Sequence, residues 1–160
     1  MREGAEKNLY IAWLYLYVDI TWKGIIYLLD AAVTLSKSPD KNRAFIFYDR
    51  VLQYFSENTP DKKNVDYYLE SVLGSLQASR MMINVEQRIP ILSKAWKYAK
   101  RFEKWEYLSK INLRLSRALA AAGYTKKAIE YIDKTLEIVT REGVPSAKIL
   151  SALCTSQILF

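Results

Sequence analysis

The sequence contains no histidine and only one cysteine, and these two shortages exclude several kinds of site. Without histidine the chain lacks the commonest metal ligand, the usual general base and a side chain that titrates near neutral pH. The single cysteine, Cys154, cannot form an internal disulfide, and cysteine-poor chains are typical of reducing compartments. We therefore expect a cytoplasmic protein.

The common motifs of nucleotide binding and hydrolysis are also missing. No G-x-x-x-x-G-K-[ST], G-x-G-x-x-G or G-x-S-x-G occurs, and no acidic cluster is spaced as metal ligands are. Cys154 follows Ala152 and Leu153, an apolar context that favours a buried thiol over a nucleophile. We predict that the protein is not an enzyme and binds no metal or cofactor. The alternative is an enzyme whose carboxylates meet from separate helices.

Glycine and proline are scarce, at five and four residues, which favours long helices over many tight turns. Apolar residues recur at intervals of three and four, and no alternating strand pattern occurs. Asn84 and Gln87 have the spacing of a capping box, while Gly123 and Gly143 stand where helices stop. We predict an all-α protein of seven or eight helices. They span about 5–17, 20–36, 40–57, 64–82, a stretch through Pro90 to 101, 103–122, 125–142, and a last helix headed by Pro145.

The longest apolar run, LYIAWLYLYV, begins at Leu9. It has neither the charge pattern nor the cleavage site of a signal peptide. Asp19 and Lys23 lie near the middle of any span built on it, and each costs about 2.5 to 3.5 kcal/mol on insertion, so we do not expect a membrane span. Helices that are apolar on all sides are buried or covered by a partner. The run therefore predicts a self-association surface that includes Tyr10, Trp13, Leu14 and Tyr17.

Two helix pairs recur with nearly one period. Residues 89–96 lie over 129–136 at an offset of 40, and Leu73-Gly74 lies over Leu115-Ser116 at an offset of 42. The clearest unit, 115–139, is an apolar run with small residues that stops at a glycine and resumes two residues later. This pattern predicts two antiparallel helices that pack closely through their small residues.

Residues 64–142 resemble a tetratricopeptide repeat of the long kind found in kinesin light chains and in helical sensor domains of transcription regulators. Gly123 occupies the turn position, Ala128 the small residue of the second helix and Ile132 its large apolar position. The period is nearer 40 than 34, and Thr135 and Arg88 stand where small residues are usual. The resemblance implies an α-solenoid with a concave binding surface, in which 1–160 is one domain and 1–63 its irregular part. An irregular helical bundle satisfies the same periodicity.

Helical-repeat arrays need capped ends, because every helix pair buries its apolar face on a neighbour. Here the aromatic start and the final SALCTSQILF both lack polar caps. Either the chain is part of a longer array, or its ends pair with another chain. In the second case Ile158 and Phe160 join the self-association surface.

Nearly all of the net charge of +7 lies in one fifth of the chain. Residues 94–127 contain ten basic and two acidic residues, a charge of +8, while the rest has 14 basic and 15 acidic residues. Lys110, Arg114 and Arg117 are spaced by four and three, so they share one helix face. The resemblance places Lys110 and Arg117 on the concave side. In the preceding repeat it places Tyr68, Ser71, Ser75 and Ser79 there.

Three interpretations fit this charge. The residues form an ordinary solvated face, or they bind an acidic peptide or protein, since arginine pairs with carboxylates in bidentate geometry. The third is nucleic acid, because aromatic residues that can stack on bases interleave with the basic ones. Those residues are Trp96, Tyr98, Trp105 and Tyr107. We predict a non-catalytic scaffold for protein or peptide interaction, with a nucleic-acid-binding or regulatory domain as the alternative.

Overall fold

The computed structural model describes residues 2–38, 41–79 and 83–143. These ranges form seven α-helices and no strand, which confirms the all-α prediction. The helices are α1 (Arg2–Leu14), α2 (Trp22–Ser36), α3 (Lys41–Glu57), α4 (Val65–Ala78), α5 (Val85–Arg101), α6 (Trp105–Ala121) and α7 (Thr125–Glu142). The eighth helix, expected from Pro145, lies outside the described residues.

The chain divides into two compact units, Met1–Met82 and Ile83–Phe160, which we call unit 1 and unit 2. The first unit contains α1 to α4, and the second contains α5 to α7. Within unit 1, α1 packs on α2, α3 packs on α2 and α4, and α2 also contacts α4. Within unit 2, α6 packs against both α5 and α7.

Aromatic side chains fill much of unit 1. Phe47 and Tyr48 are buried, and Trp13 meets the Phe47 ring edge-to-face with centroids 5.1 Å apart. Gly74 allows α4 to approach α3, because a Cβ there would overlap the Tyr48 ring. Burial raises the pKa of the Tyr48 phenol above 10.0, Glu70 raises it further, and a hydrogen bond with Ser36 opposes them.

Local sequence signals set several helix ends. The side chain of Asn84 accepts a hydrogen bond from the backbone N–H of Gln87, whose own side chain accepts from the N–H of Asn84, so the predicted capping box is confirmed. Gly123 and Gly143 follow α6 and α7 with φ of 85° and 59°, the left-handed conformation predicted for helix stops. Pro90 lies inside α5, which begins at Val85.

The core of unit 2 is built around α6. Ile111 and Leu115 are buried on it, and Leu113 packs against Ile132 of α7. Ala128 is fully buried at the start of α7. Only a narrow part of the α6 surface is therefore left for contacts outside the unit.

Candidate interaction surface

The unburied face of α6 carries the basic residues singled out by their spacing. Nine residues of this helix are buried, on every side except one stripe. The stripe runs along the helix at intervals of three and four residues, through Glu106, Lys110, Arg114, Arg117 and Ala121. The three predicted basic residues thus line the one face of α6 that its own core does not cover.

The three basic side chains differ in how freely they can meet a partner. The side chain of Lys110 is 41 % exposed; its Nζ lies 2.6 Å from Oε1 of Glu106 and 5.5 Å from the ring centroid of Tyr107. Arg114 is half-buried. Arg117 is exposed and forms no ion pair with any described residue. Arg117 therefore has the guanidinium best placed for an incoming carboxylate.

A second basic face lies on α5. Lys94, Lys97 and Arg101 are exposed and spaced by three and four residues, so they share a face of the helix. Glu86 is the only acidic residue of α5, and it lies in the first turn. Lys100 and Arg101 lie in the last turn, where positive charge interacts favourably with the helix dipole. The positive charge of Lys100 and Arg101 is therefore explained in part by its stabilising effect on the end of α5.

The aromatic residues among these charges are half-buried, and both tryptophans, like Tyr107, lie under cations. Lys100 Nζ is 5.0 Å from the ring centroid of Trp96, and the Arg141 guanidinium is 5.5 Å from that of Trp105. The second contact joins the last turn of α7 to the first turn of α6. Both rings are therefore less available for stacking on a base than the sequence pattern implies.

A buried amide holds Trp96 from the other side. The Trp96 Nε1–H donates to Oδ1 of Asn112 at 2.8 Å, and Asn112 is 1 % exposed. The indole is a donor only, so this bond fixes which way the amide points. The Asn112 Nδ2 is left as the one buried side-chain polar atom without a partner in the described ranges.

The four residues that the resemblance places on the concave side in the preceding repeat lie in the interior of unit 1. Tyr68, Ser71, Ser75 and Ser79 are all buried. The Ser71 and Ser79 hydroxyls donate to the carbonyls of Tyr67 and Ser75, each at 2.7 Å, and the Tyr68 ring meets Phe55 edge-to-face. A serine hydroxyl that donates to a carbonyl of its own helix can be buried without leaving an unpaired polar group. Tyr68 and Ser75 therefore present no exposed polar surface to a ligand.

The apolar residues predicted for self-association fall into two groups. Tyr10, Leu14 and Tyr17 are exposed, and Tyr17 is 82 % exposed. Trp13 is half-buried against Phe47 and belongs to the core of unit 1. Ile158, Phe160 and the single cysteine lie outside the described residues.

The turn after α1 is held by an arginine that the sequence did not single out. Arg50 of α3 donates to the carbonyls of Val18 and Tyr15, at 2.9 and 3.4 Å, and to Oε1 of Gln53 at 3.0 Å. The sequence signal that could have identified this site is the spacing of residues 46, 49, 50 and 53, which places them on one face of α3. Leu16, Tyr17, Ile46, Asp49, Arg50 and Gln53 surround a cavity of about 270 Å³.

No histidine, cysteine or acidic side chains of the described ranges gather in groups of three or more that could bind a metal ion. Nor does any helix in those ranges combine the length and apolarity needed to cross a bilayer. Comparisons with protein-family models, with curated proteins and with solved structures gave no match, so the surfaces above carry the functional argument.

Proposed function

We propose that this protein is a cytoplasmic, non-catalytic scaffold of tetratricopeptide-like helix pairs. It binds an acidic protein segment through the basic face of unit 2 and associates with itself through apolar residues of unit 1. One observation carries the first part: Lys110, Arg114 and Arg117 occupy the only stripe of α6 that is not buried. A repeat scaffold displays its ligand-binding residues on such helix faces.

The distribution of charge supports an acidic partner. Unit 2 contains 14 basic and seven acidic residues, whereas unit 1 contains ten of each. The entire net charge of +7 thus belongs to unit 2. Charge of one sign on one unit steers oppositely charged ligands to it, and arginine adds directional bonds to carboxylates.

Nucleic acid is the alternative ligand. The exposed lysines of α5, together with Arg117, offer charges for phosphates. Two observations favour the acidic peptide. The Trp96 and Trp105 rings are half-buried and lie under a lysine and an arginine of the same chain, so little aromatic surface is left for stacking on bases.

The test is a titration of the full chain into a fluorescein-labelled deca-glutamate peptide, followed by anisotropy. We expect binding, and a loss of about tenfold or more in affinity, or roughly 1.4 kcal/mol, when Lys110→Ala and Arg117→Ala are combined. The matched control combines Lys62→Ala and Lys63→Ala. These exposed lysines precede α4 in unit 1, and their loss should leave the affinity unchanged.

An oligothymidine of about 16 nucleotides serves as the competing probe. Tighter binding of the oligonucleotide than of the peptide, with an affinity that falls steeply as salt rises, would favour the nucleic-acid function. Equal effects of the unit 1 and unit 2 variants would contradict the assignment of the surface to α6. A peptide that does not bind at low salt would remove the acidic-ligand proposal.

A further inference from the structure

The end of α1 and the turn after it display an unusual concentration of exposed apolar side chains. Tyr17 protrudes most, and Leu14 and Val18 are about half exposed beside it in sequence. Ile46 of α3 is 45 % exposed at the cavity that Tyr17 borders. Exposed apolar clusters on a soluble surface mark contact sites, and tyrosine is enriched in them.

The cavity next to Tyr17 has the chemistry to receive a tyrosine. It is a depression open to solvent, with a volume of about 270 Å³, which exceeds that of an aromatic ring. Leu16 and Ile46 supply apolar walls. Asp49 supplies a carboxylate whose only hydrogen bond within the described residues comes from Nε2 of Gln53, at 3.1 Å. A phenol hydroxyl is a suitable donor to the remaining carboxylate oxygen.

Arg50 fixes the geometry of this surface before any partner arrives. Its guanidinium bonds to two carbonyls of the 15–18 turn and to Gln53 on its own helix. Tyr15 additionally packs over Gly24 at the start of α2, where a Cβ would lie 2.7 Å from the ring. The turn is therefore tied to both α2 and α3. A preorganised surface loses less conformational entropy on binding.

Two features point to a second copy of this chain as the occupant. An isologous interface needs a patch that is complementary to itself, and this patch carries both a protruding tyrosine and a cavity that accepts one. Charge is the second feature. Unit 1 contains ten basic and ten acidic residues, so two unit 1 surfaces can meet without a net charge on either that would repel the other.

We infer that two copies of the chain associate through unit 1, with Tyr17 of each copy inserted into the cavity of the other. The Tyr17 hydroxyl donates to the partner's Asp49, and the ring packs on the partner's Ile46. Arg50 is a positioning residue that holds the turn for this contact. The inference rests on the self-association part of the proposed function and specifies its surface.

Multi-angle light scattering across a concentration series, with no ligand added, tests the interface. We expect a concentration-dependent dimer whose dissociation constant rises about tenfold or more with Tyr17→Ala, and similarly with Ile46→Arg, which blocks the cavity. Tyr124→Ala removes a 55 % exposed tyrosine of unit 2 and should leave the dissociation constant unchanged. Circular dichroism of each variant verifies that its helices are intact.

Mixing the two unit 1 variants gives a sharper result. Tyr17→Ala chains lose one wall of the cavity but keep Ile46 and Asp49, the two residues that the inserted tyrosine contacts, and Ile46→Arg chains keep the tyrosine. A mixed pair therefore regains one of the two contacts. We expect the mixture to dimerise more tightly than either variant alone, a pattern that requires tyrosine and cavity to meet across the interface.

Three results would each overturn all or part of this inference. A wild-type chain that stays monomeric at all concentrations overturns both the interface and self-association, while peptide binding through unit 2 is unaffected. A wild-type dimer that Tyr17→Ala and Ile46→Arg leave intact overturns this interface and keeps self-association. A mixture no tighter than its components overturns the reciprocal insertion.

Discussion

The two units use aromatic residues in opposite ways. In the described part of unit 1, aromatic rings meet one another, as Trp13 meets Phe47 and Trp22 meets Tyr67. All five ring–ring contacts of the described residues lie in this unit. In unit 2 the rings lie beneath cations, and all six cation–π contacts of the described residues occur there.

This difference parallels the distribution of charge. In unit 1 the ten basic residues are balanced by ten acidic ones, and the aromatic rings build a core and an apolar surface. Unit 2 has an excess of seven positive charges, and a ring next to a lysine or arginine offers that cation an attractive face. Similar residue types therefore pack on one another in one unit and lie beneath cations in the other.

The largest expected effect is on the core of unit 1. Gly74→Ala places a methyl group where the Tyr48 ring lies, and overpacking of this kind should lower the free energy of unfolding by about 3 kcal/mol. Urea denaturation followed by circular dichroism measures it. The matched control is the double variant Gly74→Ala with Tyr48→Leu. If ring overlap is the cause, its loss of stability is smaller than the sum of the two single losses.

The next effect tests the polar contact within unit 2. Trp96→Phe removes the indole donor and leaves the buried Asn112 amide without any partner, which should cost about 2 kcal/mol. Adding Asn112→Leu removes the unpaired group and should restore part of that stability. Urea denaturation again gives the values. A double variant less stable than Trp96→Phe alone would show that packing, and not the amide, sets the cost.

The smallest predicted effect is a loss of stability of unit 1 that begins only at alkaline pH. The pKa of Tyr48 is raised above its ordinary value of 10.0, chiefly by burial, so the folded chain holds this proton more tightly than the unfolded chain. The corresponding stability is complete below pH 10 and decreases as the pH rises above it. Thermal unfolding from pH 8 upward should show this decrease in the wild type and a shallower one in Tyr48→Phe. An equally steep loss of thermal stability with pH in the wild type and in Tyr48→Phe would contradict this prediction.

Features governed by local chemistry could be predicted from the sequence. Asn84 and Gln87 are three residues apart, and each satisfies a backbone N–H of the other at the start of α5. Gly123 is the residue type that adopts positive φ at low cost, so the end of α6 followed from it. The basic stripe of α6 was likewise predictable, because helical spacing alone brings Lys110 and Arg117 to one face.

Features fixed by tertiary contacts could not be predicted. The apolar run predicted a helix to residue 17, but α1 ends at Leu14, and Arg50 of α3 binds carbonyls of the turn that follows. Ser75 and Tyr68 looked like ligand-facing residues, yet they are buried. The spacing of residues along the chain does not show which side chain will bind a backbone carbonyl. Nor does it show that a serine hydroxyl will form its hydrogen bond within its own helix.

The contact between Arg141 and Trp105 gives unit 2 an internal reporter. Each unit contains two tryptophans, and within residues 83–143 Trp105 is the one that has a cation from another helix at its face. Indole emission depends on the charges nearby, so separation of the last turn of α7 from α6 would alter the signal of Trp105 while Trp96, held by Asn112, stays constant. The same contact that fastens the last turn of α7 to α6 also makes their separation visible without any added label.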